Sequence, residues 1–278
     1  MSRRREIEAS VRGYREIRDI LNAMKNMARM EVHRLGRFLV TQQRVVSGIE
    51  AAGSDFVTFY PALFPQDEPS HEIHLLLGSE RGFCGDFNER LLSAFGRRGV
   101  GGQTEVVVLG SKLRGKLPRD LRVAAFLESA SAVEEVEGVL VQLMDTLSGL
   151  ANSRGTTRPL RVIVFHHRAQ GEDVQVSVLQ PFGQPGASPR RFINPPRLYL
   201  DPVVFANGLV EQYLFARLHE LLFTSLMVEN QIRVQHMDSA AQRLERKSAE
   251  LLRRRNTLRQ EEITEEIEVI MLSAGMLT

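Results

Sequence analysis

The chain has 278 residues, 43% of them apolar and 25% charged, with a formal net charge of +2 and one cysteine. That length allows one or two domains, and the balanced charge gives no nucleic-acid signature for the chain as a whole. A single cysteine excludes an internal disulfide framework and fits a reducing compartment. The basic start, Met1-Ser2-Arg3-Arg4-Arg5, runs into charged and polar residues instead of a signal peptide's apolar stretch, and no segment approaches the ~20 apolar residues of a membrane span. These features read as a cytosolic chain.

The first predicted element is a long helix. Ile7, Tyr14, Ile17, Leu21, Met24, Ala28, Leu35, Phe38, Val45 and Ile49 keep a heptad seam, broken at Ser10, Glu31 and Gln42. Helical periodicity runs to about Ala52, before Gly53-Ser54-Asp55 and Pro61, and residues 62–70 read as a linker.

A different composition follows. Ile73 to Leu77 and Val106 to Leu109 read as buried strands, Leu121 to Leu127 as a weaker one and Leu160 to Phe165 as another. Val174, Val176 and Val178 alternate with polar residues, as in a half-exposed strand. Asn88 to Phe95 and Ser131 to Leu150 read as helices, and Pro181 to Pro196 holds one short strand at best, near Phe192-Ile193. Strands alternating with helices argue a small open α/β (Rossmann-like) sheet, parallel for most of its strands.

Asp201-Pro202 then starts a very long helix, with Asp as N-cap and Pro at the first turn. Leu214, Leu218, Leu221, Leu222 and Leu226 give it a wide apolar face, which narrows to Met237, Leu244, Leu251 and Leu258 at a seven-residue period. The phase slips at Ile263, Ile267, Ile270 and Met271, and Ala274 to Leu277 form an apolar tip. Two seams at opposite ends of one chain fit three arrangements: an intramolecular antiparallel pair, helices covering different sides of a core, or pairing in trans. The expected organisation is residues 1–60 as the N-terminal coiled-coil helix, 61–200 as the α/β domain and 201–278 as the C-terminal coiled-coil helix.

No catalytic set emerges. Gly78-Ser79-Glu80-Arg81-Gly82-Phe83-Cys84-Gly85 lies between a strand and a helix, where phosphate loops sit, but lacks both Gly-x-Gly-x-x-Gly and Gly-Lys-Ser/Thr. Glu80 and Asp86 would repel phosphate. Cys84 as a nucleophile would need one of His71, His74, His166 or His167 within hydrogen-bond reach. His166 and His167, as strand neighbours, face opposite ways and make no metal site. The expectation is therefore no catalytic, cofactor or metal residues, and no binding or hydrolysis of ATP by the isolated chain. An enzyme on the α/β domain and a free-standing coiled-coil adaptor are the competing readings.

Three stretches carry a resemblance. Ile17 to Ala28 is similar to the pattern I-T-K-A-M-x-M-V-A, and Gly78 to Asn88 to S-D-R-G-L-C-G-G-L-N. Glu229, Arg233, Met237 and Ala240 fall on S-E-x-x-x-R-M-x-A-M-x-x-A, while Asn256, Arg259-Gln260 and Ile263 to Ile267 fall on Y-N-x-x-R-Q-x-x-I-T-x-E-I. In order, these resemble the gamma subunit of the F-type rotary ATP synthase, nearly end to end. The chain departs from the family at Glu80, Asp86, Arg243-Leu244, Arg253 and Arg255, and its shaft is more basic.

The resemblance implies a non-catalytic central rotor shaft, an antiparallel coiled coil of the terminal helices that couples ion flow through a membrane ring to ATP synthesis or hydrolysis. Its implied partners are the alpha and beta subunits of the catalytic hexamer, the epsilon subunit and the membrane c-ring, with no nucleic acid or small-molecule substrate. The implied location is peripheral, at the cytoplasmic face of a bacterial plasma membrane. Implied contacts with the alpha/beta ring are Met24, Arg233, Arg254, Arg255, Arg259, Gln260 and Thr264. Of these, Arg259, Gln260 and Thr264 fall where the family hydrogen-bonds a beta-subunit loop, and Arg253 to Arg255 are expected to meet acidic protein surface.

Overall fold

The computed structural model describes residues 3–64, 71–98, 105–153, 160–169, 173–179, 182 and 194–275. The order is α1 (Arg3–Phe59), β1 (His71–Leu77), α2 (Phe87–Arg98), β2 (Glu105–Leu109), α3 (Ser111–Arg114), β3 (Ala125–Leu127), α4 (Val136–Ser153), β4 (Leu160–His167), β5 (Val174–Leu179) and α5 (Pro202–Gly275). The two long helices have 57 and 74 residues. Packing rather than propensity is what sustains helices of this length. The chain divides into two compact units, residues 1–29 with 233–278 and residues 30–232.

The larger unit is built on a five-stranded sheet of order β3-β2-β1-β4-β5. β1 pairs in parallel with β2 and β4, and β2 with β3. β5 runs antiparallel to β4, an edge the alternation of Val174, Val176 and Val178 fits. Successive strand residues face opposite ways. Ile73, Leu75, Leu77, Val107, Leu109, Val162 and Val164 pack on one face with α4 and with Leu35, Leu39, Leu218, Leu221 and Leu222 of the long helices. Leu76, Val106, Val108, Ile163 and Phe165 pack on the other with Leu91, Phe95 and Leu113. The wide apolar face of α5 thus belongs to the sheet's core. Within this unit α1 and α5 also run antiparallel: Phe38 stacks on Phe223, Gln42 Nε2 donates to the Ala216 carbonyl at 2.9 Å, and Phe56 packs on Phe205.

In the smaller unit the same pairing takes a narrower form. Leu21, Met237 and Ala241 form a buried cluster with Met24, Ala240 and Leu244 at its border. Lys25 Nζ meets Asp238 at 2.7 Å, Arg18 meets Glu245 at 3.9 Å and Arg4 meets Glu262 at 3.4 Å. As one number falls the other rises, the signature of an antiparallel pair. Leu244, Leu251, Leu252 and Leu258 stay half-buried, whereas every side chain described from Arg259 to Ser273 is exposed. The pairing therefore ends where α1 begins, and α5 continues alone with Ile263, Ile267, Val269, Ile270, Met271 and Leu272 uncovered.

Several expectations are corrected. α1 continues through Gly53 to Phe59, because Gly53 is a notch and not a stop: a Cβ there would lie 1.8 Å from the Phe182 ring. Pro61–Leu63 is a 3-10 turn with Phe64 buried behind it, and the rest of the expected linker, like Phe192-Ile193 and the tip beyond Gly275, lies outside the described residues. The third strand is only Ala125–Leu127, and α4 starts after a 3-10 turn at Val133–Glu135. The α1 seam also turns. Leu21, Ala28 and Leu35 are buried at seven-residue steps, then Leu39 and Val46 are, leaving Ile17, Phe38 and Val45 about half exposed. A 3.6-residue helix drifts against a seven-residue repeat, and a four-residue step resets its phase.

Candidate functional site

The turn after β1 holds the strongest chemical motif of the α/β body. Gly78 N donates to Leu109 O, and the Ser79 amide donates to Asn88 Oδ1 at 3.0 Å. Asn88 Nδ2 returns to Ser79 Oγ at 2.8 Å, and Ser79 Oγ meets Cys84 Sγ at 3.3 Å. Phe83 and Gly85 both have positive φ, 61° and 57°, which forms the tight turn into α2. Cys84 is buried with Phe87 and Val228. None of His74, His166 and His167 hydrogen-bonds its thiol: His74 has no hydrogen bond at either ring nitrogen, and His166 and His167 bond elsewhere. The motif is a built turn.

In open α/β sheets, ligands bind outside the carboxyl ends of the strands where the strand order reverses. Here that point lies between β1 and β4, and α5 fills it. Ser225 Oγ donates to Leu77 O at 3.4 Å, and Val228 packs against Cys84 and Phe87. Beside it, Glu80 reaches across to the loops after β2 and β3. It accepts from Ser111 N at 3.1 Å, Ser111 Oγ at 2.5 Å and Ser129 N at 2.9 Å. Partial burial pushes this carboxyl up, but these bonds and Lys112 outweigh it and hold it below its ordinary value. Sequence reasoning saw Glu80 only as a phosphate repellent; its clamp on the ends of β2 and β3 depends on loops 31 and 49 residues away.

The histidines are structural. A carbonyl only accepts, so His166 Nδ1 carries the proton it gives to His167 O at 2.9 Å, and Nε2 accepts from Ser177 Oγ at 2.8 Å. His167 stacks on Phe87 and donates from Nε2 to the Phe87 carbonyl. Burial lowers the affinity of His74, His166 and His167 for a proton, that of His166 to about 4. Folded His166 therefore stays neutral where the unfolded chain protonates near 6.5, so its stabilisation is complete above that pH and declines as pH falls toward about 4. Between pH 6.5 and about 5 this group alone should cost about 2 kcal/mol. Urea unfolding across that range should show the loss, with a shallower pH dependence in His166→Asn.

On the shaft, the expected contact residues separate. Met24 borders the Leu21–Met237 cluster, and Arg233 is 6% exposed, so its guanidinium lies inside the chain. Arg254, Arg259, Gln260 and Thr264 are exposed. Arg255 is half-buried and bonds Asn256 Oδ1 at 2.9 Å, and Thr264 Oγ1 bonds the Gln260 carbonyl at 2.9 Å. Arg254, Arg259, Gln260 and Thr264 are thus exposed around α5, Met24 borders a buried cluster and Arg233 is itself buried. No helix among the described residues is long and apolar enough to cross a membrane, and none of their His, Cys, Asp and Glu side chains form a group of three that could hold a metal ion.

The family model described as ATP synthase matches residues 3–277. The chain belongs to the F1 gamma-subunit family of ATP synthase. No curated protein matches it. Its fold is similar to a chain of the Tetrahymena thermophila mitochondrial ATP synthase central stalk and c-ring, with TM-score 0.56 and 16% identity over 80% of this chain and 99% of that one. It is also similar to a chain of the Euglena gracilis mitochondrial ATP synthase OSCP/F1/c-ring assembly, with TM-score 0.62 and 12% identity over 98% of this chain and 94% of that one. At such identities the likeness is one of fold: two long helices and a small mixed sheet. The gamma family is a non-catalytic central stalk, in keeping with the filled switch point of the sheet.

Proposed function

We propose that this gamma-family chain is the rotor shaft of a rotary ATP synthase, turning within a ring of alpha and beta subunits and standing with epsilon on a membrane c-ring. The observation that carries the reading is the end of the helix pair: Arg259 and Gln260 are exposed just before the last pair at Glu262, Thr264 just after it, and α5 then runs on alone with an uncovered apolar stretch. A shaft transmits free energy only through contacts that differ between the states of its partners. The paired helices supply stiffness, and the exposed end supplies the contacts. Arg253 and Arg254, both exposed, add charge toward an acidic beta-subunit surface. The assembly would sit peripherally on the membrane, coupling ion movement to ATP chemistry in the ring.

The test is the Arg259→Ala/Gln260→Ala pair in the assembled complex. Losing a charged hydrogen bond costs roughly 1.5–3 kcal/mol, so ATPase turnover or its coupling to ion pumping should fall by about tenfold or more. Both residues are exposed, so the unfolding midpoint of the isolated chain should not move. Normal turnover and pumping in the double variant would refute this contact surface.

A further inference from the structure

The face of the sheet covered by α2 and by the crossing from Ser111 to Val123 is buried through Leu91, Phe95 and Leu113, with Leu117, Leu121 and Val123 at its border. Its outward side is basic. Asp86 pairs with Arg90 and Glu89 with Lys116. Beyond those pairs, Arg97, Arg98, Lys112, Arg114, Arg119 and Arg122 are all exposed, with Asp120 the one acidic residue among 111–123. Six positive groups against one carboxylate leave a net +5 here, against +2 for the whole chain, so the remainder of the chain is net acidic.

The platform beneath it is stiff. Leu113 is fully buried, Lys112 N donates to Ser79 O at 3.1 Å, and Glu80 ties Ser111 by two bonds. The Arg114 guanidinium lies 4.6 Å over the Phe126 ring. Binding to a surface held this way costs little ordering. Five of the six groups are arginines, whose planar forks match carboxylates two bonds at a time. Phe126, an exposed aromatic beside it, lies under Arg114 and so is partly covered by a charge.

We propose that this face docks an acidic segment of a partner protein, a contact separate from the shaft and independent of the rotor reading. The test uses the full chain, a fluorescent Glu-rich peptide as probe, and anisotropy titrations at two salt concentrations. Three variants are compared: R97Q/R98Q/R119Q/R122Q on this face, K112Q/R114Q on its other half, and R253Q/R254Q/R255Q on the shaft. Wild-type binding should weaken steeply with salt. The first variant should lose about tenfold in affinity and the second about threefold, with the shaft variant within about twofold of wild type. Thermal unfolding of the first variant should match wild type, since its four changed side chains are exposed. The proposal fails if the face variants bind the peptide like wild type, or if the shaft variant carries the loss. It also fails if vesicles of anionic lipid bind through these arginines while the peptide does not.

Discussion

Gly110→Ala is expected to destabilise the isolated chain by roughly 3 kcal/mol or more. Gly110 has φ of 100°, a region that L side chains rarely adopt, at a cost of about 1–3 kcal/mol. Its position is also crowded. A Cβ there would lie 2.6 Å from the Ser79 carbonyl oxygen and 2.7 Å from the Gly78 carbonyl. These atoms are backbone and cannot swing away. Ser79 O accepts from Lys112 N, and Gly110 N donates to Leu127 O, so movement would break the joints between the ends of β1, β2 and β3. Overpacking of this kind adds another 1–3 kcal/mol or so. Gly138 in α4 supplies the control, because a Cβ there meets nothing within 4 Å. Gly138→Ala should stabilise by about 0.5–1 kcal/mol through helix propensity. Urea unfolding of both variants checks the pair, and equal shifts in the two would overturn the argument.

Met237→Asp is expected to open the paired helices of the smaller unit without unfolding the sheet. Met237 is fully buried between Leu21 and Ala241, and its neighbours Met24, Ala240 and Leu244 are apolar or small. Truncating such a side chain costs about 2–5 kcal/mol, and placing an unpaired carboxylate there costs more. Two of the ion pairs along the seam, Arg18–Glu245 and Arg4–Glu262, are largely exposed and worth about 0.2–1 kcal/mol each, so they cannot hold it closed. Amide exchange should therefore rise over residues 3–29 and 233–258 while β1, β2 and β4 keep their protection. Equal loss of protection in the sheet would show that the two units unfold as one.

How much of this was readable beforehand depended on whether the cause was local. Leu214, Leu218, Leu221 and Leu222 announce a wide buried face, and Met237, Leu244, Leu251 and Leu258 a narrow seam, because helical periodicity is written into consecutive residues. The cap at Asp201 is equally local: Val203 N donates to Asp201 Oδ1 at 2.8 Å. The apolar runs of β1, β2 and β4 say by themselves that both faces of the sheet are covered. Even the family is legible, since Asn256 to Ile267 keeps its motif residues and spacing and Gly78 to Asn88 keeps its spacing and its Arg81-Gly82, Cys84-Gly85 and Asn88.

What only the tertiary structure decided concerns which surfaces meet. The α1 seam was expected at Phe38 and Val45 and passes instead through Leu39 and Val46, because small helical drift accumulates and the partner sets the phase. Gly53 had the look of a stop until the Phe182 ring filled its place. Arg233 matched a family motif as readily as Arg259 did, yet one is buried and the other exposed, a difference set by neighbours distant in the chain. Glu80 changed from a repellent of phosphate into a clamp on Ser111 and Ser129, which no spacing within its own turn reveals. The sequence by itself determined the elements, their apolar faces and the family, since these follow from near-neighbour chemistry. The fold alone decided the phase of the seam, the protonation of the buried histidines and the sealing of the sheet's switch point by α5, since each depends on contacts between residues far apart in the chain.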